Sequence, residues 1–358
     1  RNRSQYFLQF IRGLALNGDQ VGRDDPDDEP SPHVAHYCII TNERNLDFDS
    51  FGEFIEWRRR AGYKVDIISV PSNQSNDANH QDIRERIQVL YDSYLDAGED
   101  PFDLLMLAGD RTTYQGCGRA AGAVLGAPQG NNIWSNGVPY HYDWYYGLLE
   151  GDDIFADVGV SRWAAGGQDM HNLWWGRTKA YEVEPNMEDD EWFTKGAAYS
   201  QRWGGNYHIS LASNVRWGKS VLEASEFQDI RLIDEADVNQ VGAFLVEQFN
   251  EGVNLMLGRA ENYYFRNSFT GAGVDRNQEI GVFPIDLNIA GHHEWSLWWM
   301  MRDGNGNNLN GPVVATTGHG GQVTLAYNIC WVEEVNGFVL RDLPLGWARV
   351  QALTAPAL

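Results

Sequence analysis

Cysteine is the side chain best suited to act as a nucleophile at neutral pH, and this chain has three: Cys38, Cys117 and Cys330. Cys38 lies in the apolar run Tyr37-Cys38-Ile39-Ile40 and is expected to be a buried small hydrophobe. Three cysteines are too few for a disulfide framework, so a single Cys117–Cys330 bridge and two free thiols are both left open. The histidines offer proton transfer or metal binding. His292-His293-Glu294 and His319 are the obvious set, but adjacent histidines do not readily face one ion and no H-E-x-x-H spacing occurs. Asp152, Asp153 and Asp157, with Glu150 nearby, form an oxygen-rich turn of the kind that binds calcium; the alternative is a solvated acidic turn. Gly318-His319-Gly320-Gly321 has the glycines of a phosphate-cradling turn but lacks the Lys-Ser/Thr that should follow. Trp174-Trp175 and Trp298-Trp299 are either sugar-stacking platforms or core packing, and packing is the expected use.

Charge narrows the partners. Asp and Glu total 50 against 27 Lys and Arg, a net charge of −23, which repels nucleic-acid phosphates and anionic lipid surfaces. No apolar run approaches the roughly 18 residues that would cross a bilayer. The sequence begins Arg1-Asn2-Arg3 rather than with methionine, as a trimmed mature protein would. Asn2-Arg3-Ser4 and Asn73-Gln74-Ser75 fit the N-glycosylation pattern, which is too common to decide anything.

These side chains need a scaffold. Residues 1–35 are expected to be an N-terminal extension, with Gly22 to Pro32 an acidic, proline-rich linker. Tyr37–Thr41 reads as a buried strand. A helix is then expected from an Asp47 N-cap, carrying Phe48, Phe51, Phe54 and Ile55 at helical spacing and ending at Gly62. Val65–Val70 is a second strand. Ile83, Ile87, Leu90, Tyr91 and Tyr94 mark a second helix closed by Gly98, and Phe102–Ala108 is a third strand. Residues 111–140 read as a long connecting loop. Farther on, Trp192–Ser200 is expected to be a strand, followed by a helix after an Asp237 N-cap, and then by strands at Val253–Leu257 and Pro312–Thr317. Apolar strands alternating with helices imply an α/β fold with mostly parallel sheets covered on both faces. Ligand sites in such sheets lie beyond the strand carboxyl ends.

The order of several fragments resembles the peptidase domain of the gingipain-like cysteine peptidases, family C25. The fragments are Tyr37–Asn42, Phe54–Val65, Leu104–Asp110, Tyr142–Gly147, Gly151-Asp152-Asp153, Asp157–Arg162 and Lys179–Glu182. Ser161 departs from the glycine that the family places before Arg162. The resemblance spans residues 36 to 350, with an insertion near 266–290. It implies a caspase-like, gingipain-type fold of mostly parallel sheets flanked by helices, in two side-by-side subdomains, here expected at 36–137 and 138–358. It also implies a secreted or cell-surface protein, often stabilised by calcium.

In that family a Gly-His-Gly motif supplies the general base, and an apolar strand ends in the nucleophilic cysteine. By resemblance, Gly311–Gly321 matches the cysteine strand, with His319 at the cysteine position. Arg259, in Gly258-Arg259-Ala260, falls at the histidine position, and His292 is the alternative. A guanidinium cannot deprotonate a thiol. Cys330 is the alternative nucleophile. The expectation is a peptidase-like domain without functional catalytic residues, serving as a structural or binding module of an extracellular protein or assembly. An active cysteine endopeptidase with a rearranged dyad and a carbohydrate-binding α/β protein are the alternatives. Leu345–Val350 resembles a family helix that further strands follow, so completion by another chain or partner domain is also expected.

Overall fold

The computed structural model describes residues 32–71, 80–109, 129–133, 139–141, 143–153, 156–163, 165, 167–202, 207–259, 285–288, 315–317 and 335–340. Its contacts divide the chain into two units.

The first unit is built on the strand order β2-β1-β3-β6: β1 His36–Asn42, β2 Lys64–Val70, β3 Leu104–Ala108 and β6 Gly159–Trp163. All its pairings are parallel, with Ile39 opposite both Ile67 and Met106, and Met106 opposite Ser161. The inner strands β1 and β3 are buried almost throughout, which is why they read as continuous apolar runs. Helix α1, Asp49–Arg60, buries Phe51, Phe54 and Ile55. Helix α2, His80–Ala97, buries Ile83, Ile87 and Tyr91 against Cys38, Ile40, Leu105 and Leu107. Alternation along each strand thus supplies one layer of apolar side chains to each helical face.

α1 starts later than expected. Asn42 accepts from the Arg44 N–H and opens a 3-10 turn, Glu43–Asp47, so Phe48 rather than Asp47 precedes the helix, without a side-chain cap. The stretch 111–140 is more than a loop, since β4 Gln129–Ile133 and β5 Pro139–His141 pair antiparallel there. Because β6 pairs with β3, the first unit continues through helix α3, Gln168–Thr178, as far as Trp175, and includes Asn336–Leu340.

The second unit, Gly176–Val335, has the order β11-β10-β9-β7-β8. Its strands are β7 Lys195–Gln201, β8 Asp229–Ala236, β9 Leu255–Arg259, β10 Ile285–Asn288 and β11 Ala315–Thr317, again all parallel. β7 begins at Lys195 because Asp189 caps a 3-10 turn over Asp190–Thr194, which takes Trp192 out of the strand. Helix α4, Tyr207–Ala224, packs so closely over β7 that a Cβ at Gly196 would meet Leu222 at 3.0 Å. Helix α5, Val238–Glu251, has the expected Asp237 N-cap, completed by Gln240 into a reciprocal capping box, and it ends at Gly252 with φ 71°. Val241, Leu245 and Phe249 meet Ala197, Tyr199 and Met256 in its core. Residues 266–290, expected as an insertion, contain β10. Its four residues, Ile285-Asp286-Leu287-Asn288, are too short and mixed to announce a strand by pattern.

Candidate functional site

All five strands of the second sheet run the same way, so their carboxyl ends share one edge. Register aligns them: Tyr199 pairs with Gly258, Gly258 with Asn288, and Leu287 with Thr317. Arg259 is the last residue of β9 and pairs with Ser200. His292, His319 and Cys330 lie outside the described residues, as do Cys117, His293, Glu294 and Trp298-Trp299. What the structure fixes is where their strands end. His292 follows four positions after Asn288, and His319 two after Thr317.

β10 lies between β9 and β11. With strands ~4.8 Å apart, the ends of β9 and β11 are separated by roughly 10 Å, while β9 and β10 are neighbours. The strand directly beside the end of β9 is therefore β10, not β11. Sequence could not show this, because the intervening strand was hidden inside an apparent insertion.

Gly258 has a packing role. A Cβ there would stand 2.4 to 2.5 Å from ring carbons of the fully buried Tyr199. The glycine before Arg259 thus exists because the Tyr199 ring lies across it.

The acidic turn is ordered by its own carboxylate. One Asp157 oxygen, Oδ2, accepts the Leu149 and Glu150 N–H groups at 2.7 and 2.8 Å. Burial raises the Asp157 carboxyl above its ordinary range, opposed by those two N–H groups. Asp152 and Asp153 are exposed. Among the described residues, no group of three His, Cys, Asp or Glu side chains converges as a metal site.

The carboxyl edge of the first sheet is more densely connected. Arg162, at the end of β6, holds Asp143 in a two-pronged pair, Nε–Oδ2 2.8 Å and Nη2–Oδ1 2.7 Å, and donates to the Gly109 carbonyl at 2.9 Å. Thr41 Oγ1 donates to the Ala108 carbonyl, and Asn45 donates to both. Trp174 and Trp175 are buried, and Trp175 donates to Glu53 at 2.5 Å. They are packing, not an exposed sugar platform. At the opposite edge, Asp66 accepts from Tyr94 and pairs with His36 at 2.6 and 2.7 Å. The His36 contact, helped by Tyr94 and opposed by burial, sets the Asp66 carboxyl below its usual range. Cys38 is buried and free, and burial pushes its thiol well above the ordinary value, so it is not a nucleophile. Periodicity did not single out Arg162–Asp143, the His36 cluster or His171; Asp143 and Arg162 lay within fragments that resemble the family, but nothing in the sequence paired them.

The sequence profile described as peptidase family C25 matches residues 31–258, well over half of the chain, and stops one residue before Arg259. Three solved structures share the fold. One is described only as a protease, with a TM-score of 0.65 at 12% identity, covering 92% of this chain and 74% of that one. The Arg-specific cysteine proteinase gingipain R gives 0.65 at 15% identity, covering 90% and 72%. The complex of Porphyromonas gingivalis RgpB pro- and mature domains gives 0.62 at 13% identity, covering 89% and 73%. No curated protein sequence matches significantly. Among the described residues, no helix is long and apolar enough to cross a membrane.

Proposed function

Because this chain belongs to peptidase family C25, we propose that it is a gingipain-like domain that has lost the nucleophile of its family and acts as a structural or binding module. The observation that supports this most directly combines topology with sequence. The carboxyl ends of β9, β10 and β11 share one edge, and the residues that follow are Ala260-Glu261, Ile289-Ala290-Gly291-His292 and Gly318-His319-Gly320-Gly321. None is a cysteine. The conclusion is the same whether the nucleophile's place follows β11, at His319, or β10, near His292.

Without a thiolate the dyad has no acyl acceptor, and Arg259 cannot serve as its base. The protein would keep the α/β frame and lose the chemistry. A secreted or cell-surface setting, and a partner that is another protein chain or domain, complete the proposal. The RgpB structure is a complex of two domains, which makes a partner domain a reasonable comparison. The strong negative charge fits neither nucleic acid nor an anionic membrane surface.

Turnover tests the reading. The full chain, incubated with a peptide library covering every residue type before the scissile bond, should release no product above a Cys330→Ala variant. Cleavage by the natural sequence that Cys330→Ala abolishes would establish an active peptidase with a displaced nucleophile.

A further inference from the structure

Buried polar atoms almost always find a partner, yet the carboxyl edge of the first sheet holds several that have none among the described residues: Asn45 Oδ1, Ser50 Oγ, the Trp163 and Trp174 indole N–H groups, and both ring nitrogens of His171. His171 is the extreme case. It lies in the first turn of α3, is fully buried, and has aromatic rings on three sides: Phe51 at 5.1 Å, Phe48 at 5.3 Å and Trp163 at 5.6 Å between centroids. Phe48 and Phe51 belong to the start of α1, and Trp163 ends β6, so one imidazole joins three elements. A leucine or phenylalanine would join them without leaving a donor and an acceptor unpaired in the interior.

We propose that His171 is an acid-sensitive latch: neutral, it holds the first turn of α3 against α1 and β6, and its protonation releases that turn. A neutral imidazole can share an aromatic cage. An imidazolium with no acceptor cannot stay fully desolvated, and its way out is the movement of α3.

Burial alone accounts for the lowering of the His171 pKa to about 4. The charged groups on the three elements do not contribute to it. On α1, Asp49 is exposed, Glu53 is taken by Trp175, Glu56 pairs with Arg59, and Arg58 and Arg60 lie over aromatic rings. On β6, Arg162 is held by Asp143; on α3, Asp169 is exposed and Arg177 is buried near its end. The closed state thus binds its proton below the open state's ordinary value near 6.5. Closure is fully favoured above 6.5 and weakens as the pH falls towards 4. Relative to pH 7, the opening equilibrium rises about 60-fold at pH 4.5 from this group alone.

Hydrogen exchange reads this out. After correction for intrinsic rates, peptides covering 159–163 and 168–178 should lose about 70-fold of their protection between pH 7.5 and 4.5. In His171→Phe, which fills the cage without titrating, that loss should vanish. Equal loss in both proteins, or none in the natural sequence, overturns the latch. Proton NMR of the natural protein decides independently of the variant's folding. A His171 ring that titrates near 6.5 while α3 stays protected refutes the proposal, and one that titrates only as α3 opens supports it.

Discussion

Replacing Gly258 by alanine adds one methyl group at the point where β9 meets β7. That Cβ would stand 2.4 Å from Tyr199 Cδ1 and Cε1 and 2.5 Å from Cζ, whereas carbon atoms pack at about 3.5–4.0 Å. The ring or the strand must therefore move by about 1 Å or more. Tyr199 is fully buried on a strand that pairs on both sides, so little room exists for that movement. Overpacking of this kind costs about 1–3 kcal/mol. Alanine also restricts the unfolded chain, which returns about 0.4–1 kcal/mol. The clash wins, leaving a net loss of about 1–2 kcal/mol in urea denaturation with an unchanged slope. The partner is specific, so Tyr199→Leu should absorb most of the cost, giving a coupling of about 1 kcal/mol in a double-mutant cycle. If Gly258→Ala were neutral, or if the two changes were simply additive, Tyr199 would not explain this glycine. A remnant of the Gly-His-Gly motif would then be the better account.

Two further outcomes follow from the geometry. Arg162→Met removes both prongs from Asp143, whose side chain is partly exposed, so urea denaturation should show a loss of about 2–3 kcal/mol; Arg162→Lys should recover only a minor part, because one ammonium cannot reproduce the fork. At the acidic turn, Asp157 is engaged by two N–H groups, so adding calcium and then chelating it should leave the melting temperature unchanged; a shift that Asp152→Asn with Asp153→Asn abolishes would assign calcium to this turn.

Much of the first unit was legible in the sequence because its inner strands are buried on both faces and its first two helices, α1 and α2, carry regular apolar stripes. Asp237 and Gly252 likewise announced both ends of α5. What stayed hidden has physical reasons. β6 alternates buried and exposed positions, with Ser161 and Arg162 interrupting the run, and β8 is an outer strand with four charged residues in eight, Asp229, Arg231, Asp234 and Glu235. Neither resembles a buried run, so neither was expected as a strand. β10 mattered most. Four residues long, it escaped notice, and with it the fact that β9 and β11 are not neighbours. The absence of a cysteine could be read from sequence alone. Which residue follows the strand next to Arg259 needed the topology.

Covalent labelling with a thiol-directed, peptide-based peptidase inhibitor tests the central claim most directly, read by intact mass and peptide mapping of the folded full chain. The account predicts no inhibitor-dependent adduct, and the same mass for the natural sequence as for Cys330→Ala. Stoichiometric labelling at Cys330, blocked by a competing peptide substrate, would contradict it and restore a working nucleophile to the domain.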